Sequence, residues 1–180
     1  MLGRAEFLTG LVAVILPNDG SNRPPSLKLG VPTNWRIRVL DGPDFHLADH
    51  RGSVVVATFF ATWCPACVEE QPAFVTFANA HPDTVVLAVD VQERDDTVRA
   101  WRKRFAIPYR IAMDENGGFL DALTPKGVLP TTIVFDPNGC LYSWHYDEST
   151  VEWLEQQRAD ALAAAAPSPA PAASASPAPS

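Results

Sequence analysis

The sequence has few cysteines and little basic charge. Its 180 residues include 3 cysteines and carry a formal net charge of −7 at pH 7. Three cysteines are too few for a scaffold held together by disulfides. The acidic balance disfavours nucleic-acid binding, which depends on clustered Lys and Arg, and the basic run at residues 102–104 is better explained as the end of a helix. The 47% apolar content suits a single domain with a substantial core.

The composition divides the chain into three parts. Residues 1–33 are predicted to be a leader and linker, with an apolar run over residues 8–16 that is too short to span a bilayer but fits a signal peptide. Since Glu6 does not suit a basic leader, a strand or helix packed on the domain is an equal alternative. Residues 34–166 are predicted to form the domain. Residues 167–180 contain only Pro, Ala and Ser and are predicted to be a disordered tail.

Apolar periodicity predicts strands that alternate with helices, which indicates an α/β fold. Alternating apolar residues predict an early hairpin, carried by Trp35, Ile37, Val39, Phe45 and Leu47. Further strands are predicted over residues 54–60, 84–91, 109–113, 128–135 and 140–144, and helices over residues 68–80, 95–105 and 119–123. A capping box that starts at Ser149 is predicted to open a last helix, whose apolar face includes Leu154 and Leu162.

Cys64 and Cys67 stand where the strand over residues 54–60 passes into a helix. A cysteine at the first turn of a helix faces unpaired N–H groups and the positive end of the helix dipole, which stabilise a thiolate. Cys64 is therefore predicted to be the nucleophile, and Cys67, one turn later on the same face, to close a disulfide with it. Pro65 suits this helix start because its missing N–H would have no intrahelical partner there.

A zinc half-site and two incidental thiols are the other interpretations of this cysteine pair. Structural zinc would need a second pair of ligands, whereas Cys140 is the only other cysteine and the histidines have no paired spacing. The pair is therefore interpreted as redox-active, with no metal and no cofactor other than its own disulfide. Cys140 lies in a predicted hairpin and is expected to be a buried free thiol.

Several motifs, in this order along the chain, resemble those of the TlpA/ResA-like thiol-disulfide oxidoreductases, a group with the thioredoxin fold. They are residues 41–42 (DG), 51–52 (RG), 59–67 (FFATWCPAC), 95–105 and 129–132 (LPTT), within a resemblance that covers residues 34–164. It implies a three-layer α/β/α sandwich with a mixed central sheet, an N-terminal β-hairpin and a central βα-type insert.

The group includes the cytochrome c maturation reductases, so the resemblance implies a reductase of protein disulfides that is supplied by an upstream electron donor. It favours an extracytoplasmic location, periplasmic or tethered to a membrane, and leaves a cytoplasmic location open. We expect a monomer.

The resemblance also assigns roles to individual residues. It implies a cis peptide bond before Pro130, which would face the two sulfurs and leave the backbone of Leu129 free to pair with a substrate strand. Glu70 matches an acidic residue that the family places beside its active site, where a carboxylate could shuttle the proton of Cys67. The alternative is a solvated carboxylate like that of Glu69. The expected substrate contacts are Trp63, Pro65, Leu129 and Thr131.

Two positions depart from the family pattern. Thr58 stands where thioredoxins proper carry a buried aspartate. A hydroxyl cannot act as an acid or a base here, so any proton relay must run through Glu70 or water. Phe60 stands where the family usually has tryptophan, which changes the packing without obvious chemistry.

Two other functions are open on the sequence alone. A peroxiredoxin-like peroxidase shares the fold, but the positions that would carry its proline and threonine ahead of Cys64 hold Ala57 and Ala61. A non-enzymatic module could instead use the dithiol as a ligand for a metal or for a partner protein.

Overall fold

A computed structural model describes residues 30, 32–124 and 126–165. The strands are β1 (Arg36–Ile37), β2 (Phe45–His46), β3 (Val55–Phe60), β4 (Val85–Val91), β5 (Arg110–Asp114), β6 (Thr131–Phe135) and β7 (Leu141–His145). The α-helices are α1 (Pro65–Ala80), α2 (Asp95–Phe105), α3 (Gly118–Leu123) and α4 (Val151–Ala165). The predicted elements are therefore present, most of them displaced by no more than a few residues at their ends.

Five strands form one mixed sheet in the order β5-β4-β3-β6-β7. β3, β4 and β5 run parallel, whereas β6 is antiparallel to β3 and β7 is antiparallel to β6. All the residues of β3 are buried, which explains why the strand is apolar except for Thr58. β1 and β2 form a separate antiparallel hairpin. The predicted α/β fold with a mixed central sheet and an N-terminal hairpin is confirmed.

Both faces of the sheet are covered. Side chains that alternate along β3, such as Ala57 and Phe59, pack on one face against the hairpin and α3. The opposite face packs against α1, α2 and α4, and includes Val56 and Phe60. β3 therefore lies at the centre of the core, and its carboxyl end delivers the chain to the first turn of α1.

The start of the last helix differs from the prediction. The hydroxyl oxygen of Thr150 accepts a hydrogen bond from the Trp153 N–H at 3.2 Å, so Thr150 caps α4 instead of Ser149. Leu162, expected on the apolar face, is 38% exposed, whereas the neighbouring Ala161 is fully buried. Leu154, predicted on the same face, is fully buried, so the pattern placed the helix correctly and was wrong only at its last apolar position.

The packed chain begins ahead of residue 34. The N–H of Thr33 donates to the Gly139 carbonyl at 3.0 Å, and Pro32 forms an isolated antiparallel bridge with Cys140. Apart from Gly30, whose N–H donates to the Leu141 carbonyl at 3.2 Å, the rest of the predicted leader and linker lies outside the described residues, as does the predicted tail at residues 167–180. No helix within the described ranges is long and apolar enough to cross a membrane.

Candidate active site

Cys64 and Cys67 form a disulfide where β3 gives way to α1. Their Cα atoms lie 5.2 Å apart. Cys64 is the N-cap residue of α1, with extended backbone, and its Sγ accepts a hydrogen bond from the Cys67 N–H at 3.3 Å. The sulfur of Cys64 thus faces the unpaired N–H groups of the helix start, where a thiolate is stabilised. Cys67 is the deeper of the two, at 1% exposed against 5% for Cys64.

The loop before β6 lies at the same end of β3 as the disulfide, because Thr131 pairs with Phe59. The Leu129–Pro130 peptide bond is cis, as the resemblance implied. Leu129 is half-buried and packs against the apolar cluster that contains both cysteines. Thr131 is buried, and its hydroxyl donates to the Val128 carbonyl at 2.6 Å. Thr131 therefore fixes the shape of the loop, while Val128 and Leu129 present its apolar surface.

An exposed apolar rim surrounds Cys64. Trp63, the residue before it, is 70% exposed, and Pro65 is exposed at the first position of α1. Large aromatic side chains left in water beside a reactive group are suited to contact with a partner surface. Trp63, Pro65 and Leu129 border the disulfide, whereas the buried Thr131 is not available for contact through its side chain.

Glu70 is buried, unlike the exposed Glu69 before it. Its Oε1 accepts a hydrogen bond from the Thr58 hydroxyl at 3.1 Å, and its Oε2 accepts one from the Ser149 N–H at 3.0 Å. Burial raises the pKa of Glu70 to about 7, against the opposing effect of these two hydrogen bonds. Glu70 is therefore not a solvated helix carboxylate. It is a buried acid one helical turn after Cys67.

The polar contacts of Glu70 continue across the sheet. Thr58 and Thr132 lie opposite each other in the β3–β6 pair, and the Ser149 hydroxyl donates to the Thr132 hydroxyl oxygen at 3.2 Å. All three of these residues are buried. Ser149 and Thr132 escaped sequence reasoning because they lie far along the chain from the cysteines. The register of β6 beside β3 brings Thr132 opposite Thr58, and the segment between β7 and α4 brings Ser149 to Glu70.

A second, partly buried polar contact lies on the same helix. The side-chain amide of Gln71 donates to the hydroxyl of Tyr109, which precedes β5. Burial, with a smaller contribution from the nearby Glu70, raises the pKa of Tyr109. Tyr109 therefore stays protonated across the physiological pH range and serves as a neutral neighbour of the acid.

Cys140 takes no part in this arrangement. It is a buried free thiol, as predicted, and burial raises its pKa. β6 runs antiparallel to β3, so its end at Phe135 lies beside Val55, at the opposite end of β3 from the disulfide. Cys140 follows that distal end.

Within the described residues, no group of three or more His, Cys, Asp or Glu side chains is arranged to hold a metal ion.

Comparison with known proteins agrees with this geometry. The sequence matches the AhpC/TSA family over residues 31–143. It is 33% identical over 137 residues to the thiol-disulfide oxidoreductase ResA of Geobacillus thermodenitrificans, across 75% of this chain and 71% of that protein.

Two solved structures share the fold. A DsbF homologue from Corynebacterium diphtheriae gives a TM-score of 0.66 at 23% identity, over 81% of this chain and 90% of that one. The exposed lipoprotein thioredoxin Etrx1 of Streptococcus pneumoniae gives 0.63 at 22% identity, over 71% of this chain and 99% of that one. These neighbours confirm the thioredoxin fold. The family match and the similarity to ResA show that the chain belongs to the AhpC/TSA family and is a thiol-disulfide oxidoreductase.

Proposed function

We propose that the protein reduces disulfides in other proteins, with Cys64 as the attacking thiolate and Cys67 as the resolving thiol. The observation that supports this most directly is the position of the pair, with Sγ of Cys64 at the start of α1 and Cys67 beneath it. A thiolate at a helix N-terminus is both stabilised and reachable, whereas the deeper sulfur reacts only with its neighbour.

In the first step, the Cys64 thiolate attacks one sulfur of the substrate disulfide. A mixed disulfide forms between Cys64 and that sulfur, and the other substrate sulfur leaves as a thiolate that takes a proton from water. The exposed Trp63 and Pro65, with the backbone of Leu129, are the proposed contacts for the substrate chain. The proposed part of Thr131 is to hold the Leu129 loop in place through its bond to the Val128 carbonyl.

In the second step, Cys67 must lose its proton before it can attack. Glu70 is suited to accept that proton, since its pKa of about 7 populates both of its forms near neutrality. The Cys67 thiolate then attacks Sγ of Cys64, the second substrate sulfur leaves as a thiolate, and the Cys64–Cys67 disulfide closes. Two electrons pass from the dithiol to the substrate. An upstream dithiol donor restores the reduced pair, and no further cofactor takes part.

We further propose that the protein acts outside the cytoplasm. The support is the apolar run at residues 8–16 followed by a Pro-, Ser- and Gly-containing segment, together with the likeness in fold to an exposed lipoprotein. Cell fractionation of the full chain tests this, with a variant lacking residues 1–29 as the control. Recovery of both forms with the cytosolic marker would contradict an extracytoplasmic location.

Insulin reduction by the pre-reduced protein tests the proposed chemistry. Cys64→Ser is expected to lower the rate at least about a hundredfold, because no thiolate remains at the helix start. Cys67→Ala is expected to accumulate the mixed disulfide, which mass spectrometry detects, because the resolving step is blocked. Undiminished turnover by Cys64→Ser would refute the proposal, and so would peroxide consumption that exceeds insulin reduction.

The direction of electron flow has its own measurement. Equilibration of the pair with glutathione gives its reduction potential, and a value below about −220 mV is expected for a reductase. A value near about −120 mV, like that of a strong dithiol oxidant, would make the protein an oxidase instead.

A further inference from the structure

Glu93 contacts the loop that carries the nucleophile, although it lies outside the motifs of the family resemblance. Its Oε2 accepts a hydrogen bond from the Thr62 N–H at 2.5 Å, and its Oε1 accepts one from the Thr62 hydroxyl at 2.6 Å. The two residues come together because β3 and β4 are parallel neighbours, so the loops that follow them leave the sheet at the same edge. The Glu93 carboxylate thus accepts a hydrogen bond from both donors of Thr62, two positions before Cys64.

Glu93 is itself held in place. Its N–H donates to Oδ1 of Asp90 at 3.1 Å, and Asp90 is fully buried at the end of β4. Burial, together with the nearby Glu93, raises the pKa of Asp90 well above its usual range. Gln92 adopts a left-handed backbone with φ of 64°, and its N–H donates to the Asp114 carbonyl at 3.1 Å. A left-handed conformation is unfavourable for a residue with a Cβ, so the surrounding contacts impose this turn.

Cys64 and Trp63 depend on the Thr62 contact to different degrees. Cys64 has its own anchors, since its N–H donates to the Ala61 carbonyl and its carbonyl accepts from the Val68 N–H, both at 3.1 Å. Trp63 is 70% exposed and has little packing to fix it. Releasing Thr62 would therefore move the tryptophan more than the sulfur.

We propose that Glu93 is a positioning residue that, through its two hydrogen bonds to Thr62, holds Trp63 where protein substrates meet Cys64. The inference rests on the proposed function, because it requires protein disulfides as substrates and Trp63 as a contact. It separates two kinds of substrate. A protein disulfide has to bind the rim around Cys64, whereas a small aromatic disulfide needs only access to the sulfur.

Kinetics of the full chain with two substrates tests the proposal. Insulin turnover is followed with dithiothreitol as the electron donor, whereas the small aromatic disulfide, which dithiothreitol would reduce directly, is followed as the single oxidation of the pre-reduced protein. Glu93→Ala is expected to raise KM for insulin about tenfold, with kcat and the rate with 5,5′-dithiobis(2-nitrobenzoate) within about twofold of wild type. Glu93→Gln keeps a side-chain oxygen for the Thr62 N–H and is expected to stay within about threefold for insulin. Glu115→Ala is the matched control, since that carboxylate pairs with Arg38 at 2.8 Å instead.

The insulin KM values of these variants decide whether Glu93 positions Trp63. An insulin KM for Glu93→Ala within about twofold of wild type overturns the inference, as does an equal loss with both substrates or a failure of glutamine to rescue. If Glu93→Ala does not fold by circular dichroism, Thr62→Val replaces it. That variant loses only the hydroxyl donor and is expected to raise the insulin KM about threefold. A wild-type protein that fails to reduce insulin, while still reacting with the small disulfide, refutes protein-disulfide reduction itself.

Discussion

Replacement of Glu70 by glutamine removes a buried carboxylate while keeping its shape. The native pKa of Glu70 is about 7, above its ordinary value of 4.5. Between these pH values the native state holds a proton that the unfolded chain has already released. The contribution of Glu70 is therefore fully favourable below pH 4.5 and is lost as the pH rises through 7. Glutamine at position 70 does not titrate, so Glu70→Gln lacks this contribution to the pH dependence of stability.

The size of the effect follows from the two pKa values. Their separation corresponds to about 3 kcal/mol of unfolding free energy at alkaline pH, most of which falls between pH 5 and pH 8. Wild type should thus lose about 2 to 3 kcal/mol more stability than Glu70→Gln between these two conditions. In the variant, the oxygen of the introduced amide can still accept from the Ser149 N–H while its nitrogen donates to the Thr58 hydroxyl, so Glu70→Gln is expected to fold.

Urea unfolding of the oxidised protein at pH 5 and pH 8 measures this difference. The comparison between the two proteins cancels the other groups that titrate, as long as the slopes with urea agree. Glu69→Gln is the matched control because it removes the same charge from the exposed neighbouring position. A difference below about 1 kcal/mol between wild type and Glu70→Gln, or an equal effect of Glu69→Gln, would refute the buried-acid interpretation.

Two further predictions concern neighbouring groups. Thr58→Val keeps the buried shape but removes the hydroxyl that donates to Glu70 at 3.1 Å, so the pKa of Glu70 should rise further. In the same urea experiment, this variant should therefore lose more stability than wild type between pH 5 and pH 8. An unchanged loss would contradict that hydrogen bond. Cys140→Ser should leave insulin reduction within about twofold of wild type, because the thiol is buried at the end of the sheet away from the disulfide. Iodoacetamide should label native Cys140 far more slowly than the unfolded chain, and rapid labelling would show that the thiol is accessible.

Local patterns were enough to predict the frame of the molecule. The buried apolar run of β3, the cysteine spacing and the charge order of α2 each report on structure within a few residues, so they located the sheet, the disulfide and the helix. The family resemblance added the cis bond before Pro130, which no periodicity reveals.

The missed features depend on contacts between distant parts of the chain. The sequence left open whether Glu70 is buried or solvated, because Ser149, whose N–H donates to its second carboxylate oxygen, lies 79 positions away. Glu93 was missed because its partner Thr62 lies 31 positions away and meets it only through the parallel pairing of β3 with β4. Ser149 was predicted to cap the last helix because serine is a common N-cap residue. In the structure the Ser149 hydroxyl donates to Thr132, and the cap of the helix is Thr150.

The hydrogen bond from position 149 to Glu70 comes from the main chain and not from a side chain. Every amino acid except proline supplies the same N–H, so substitutions at this position can change the Thr132 contact without removing the donor to the acid. Most substitutions at position 149 therefore leave in place the hydrogen bond that lowers the pKa of Glu70. It is sensitive instead to insertions or deletions between β7 and α4, which would shift the path of the backbone.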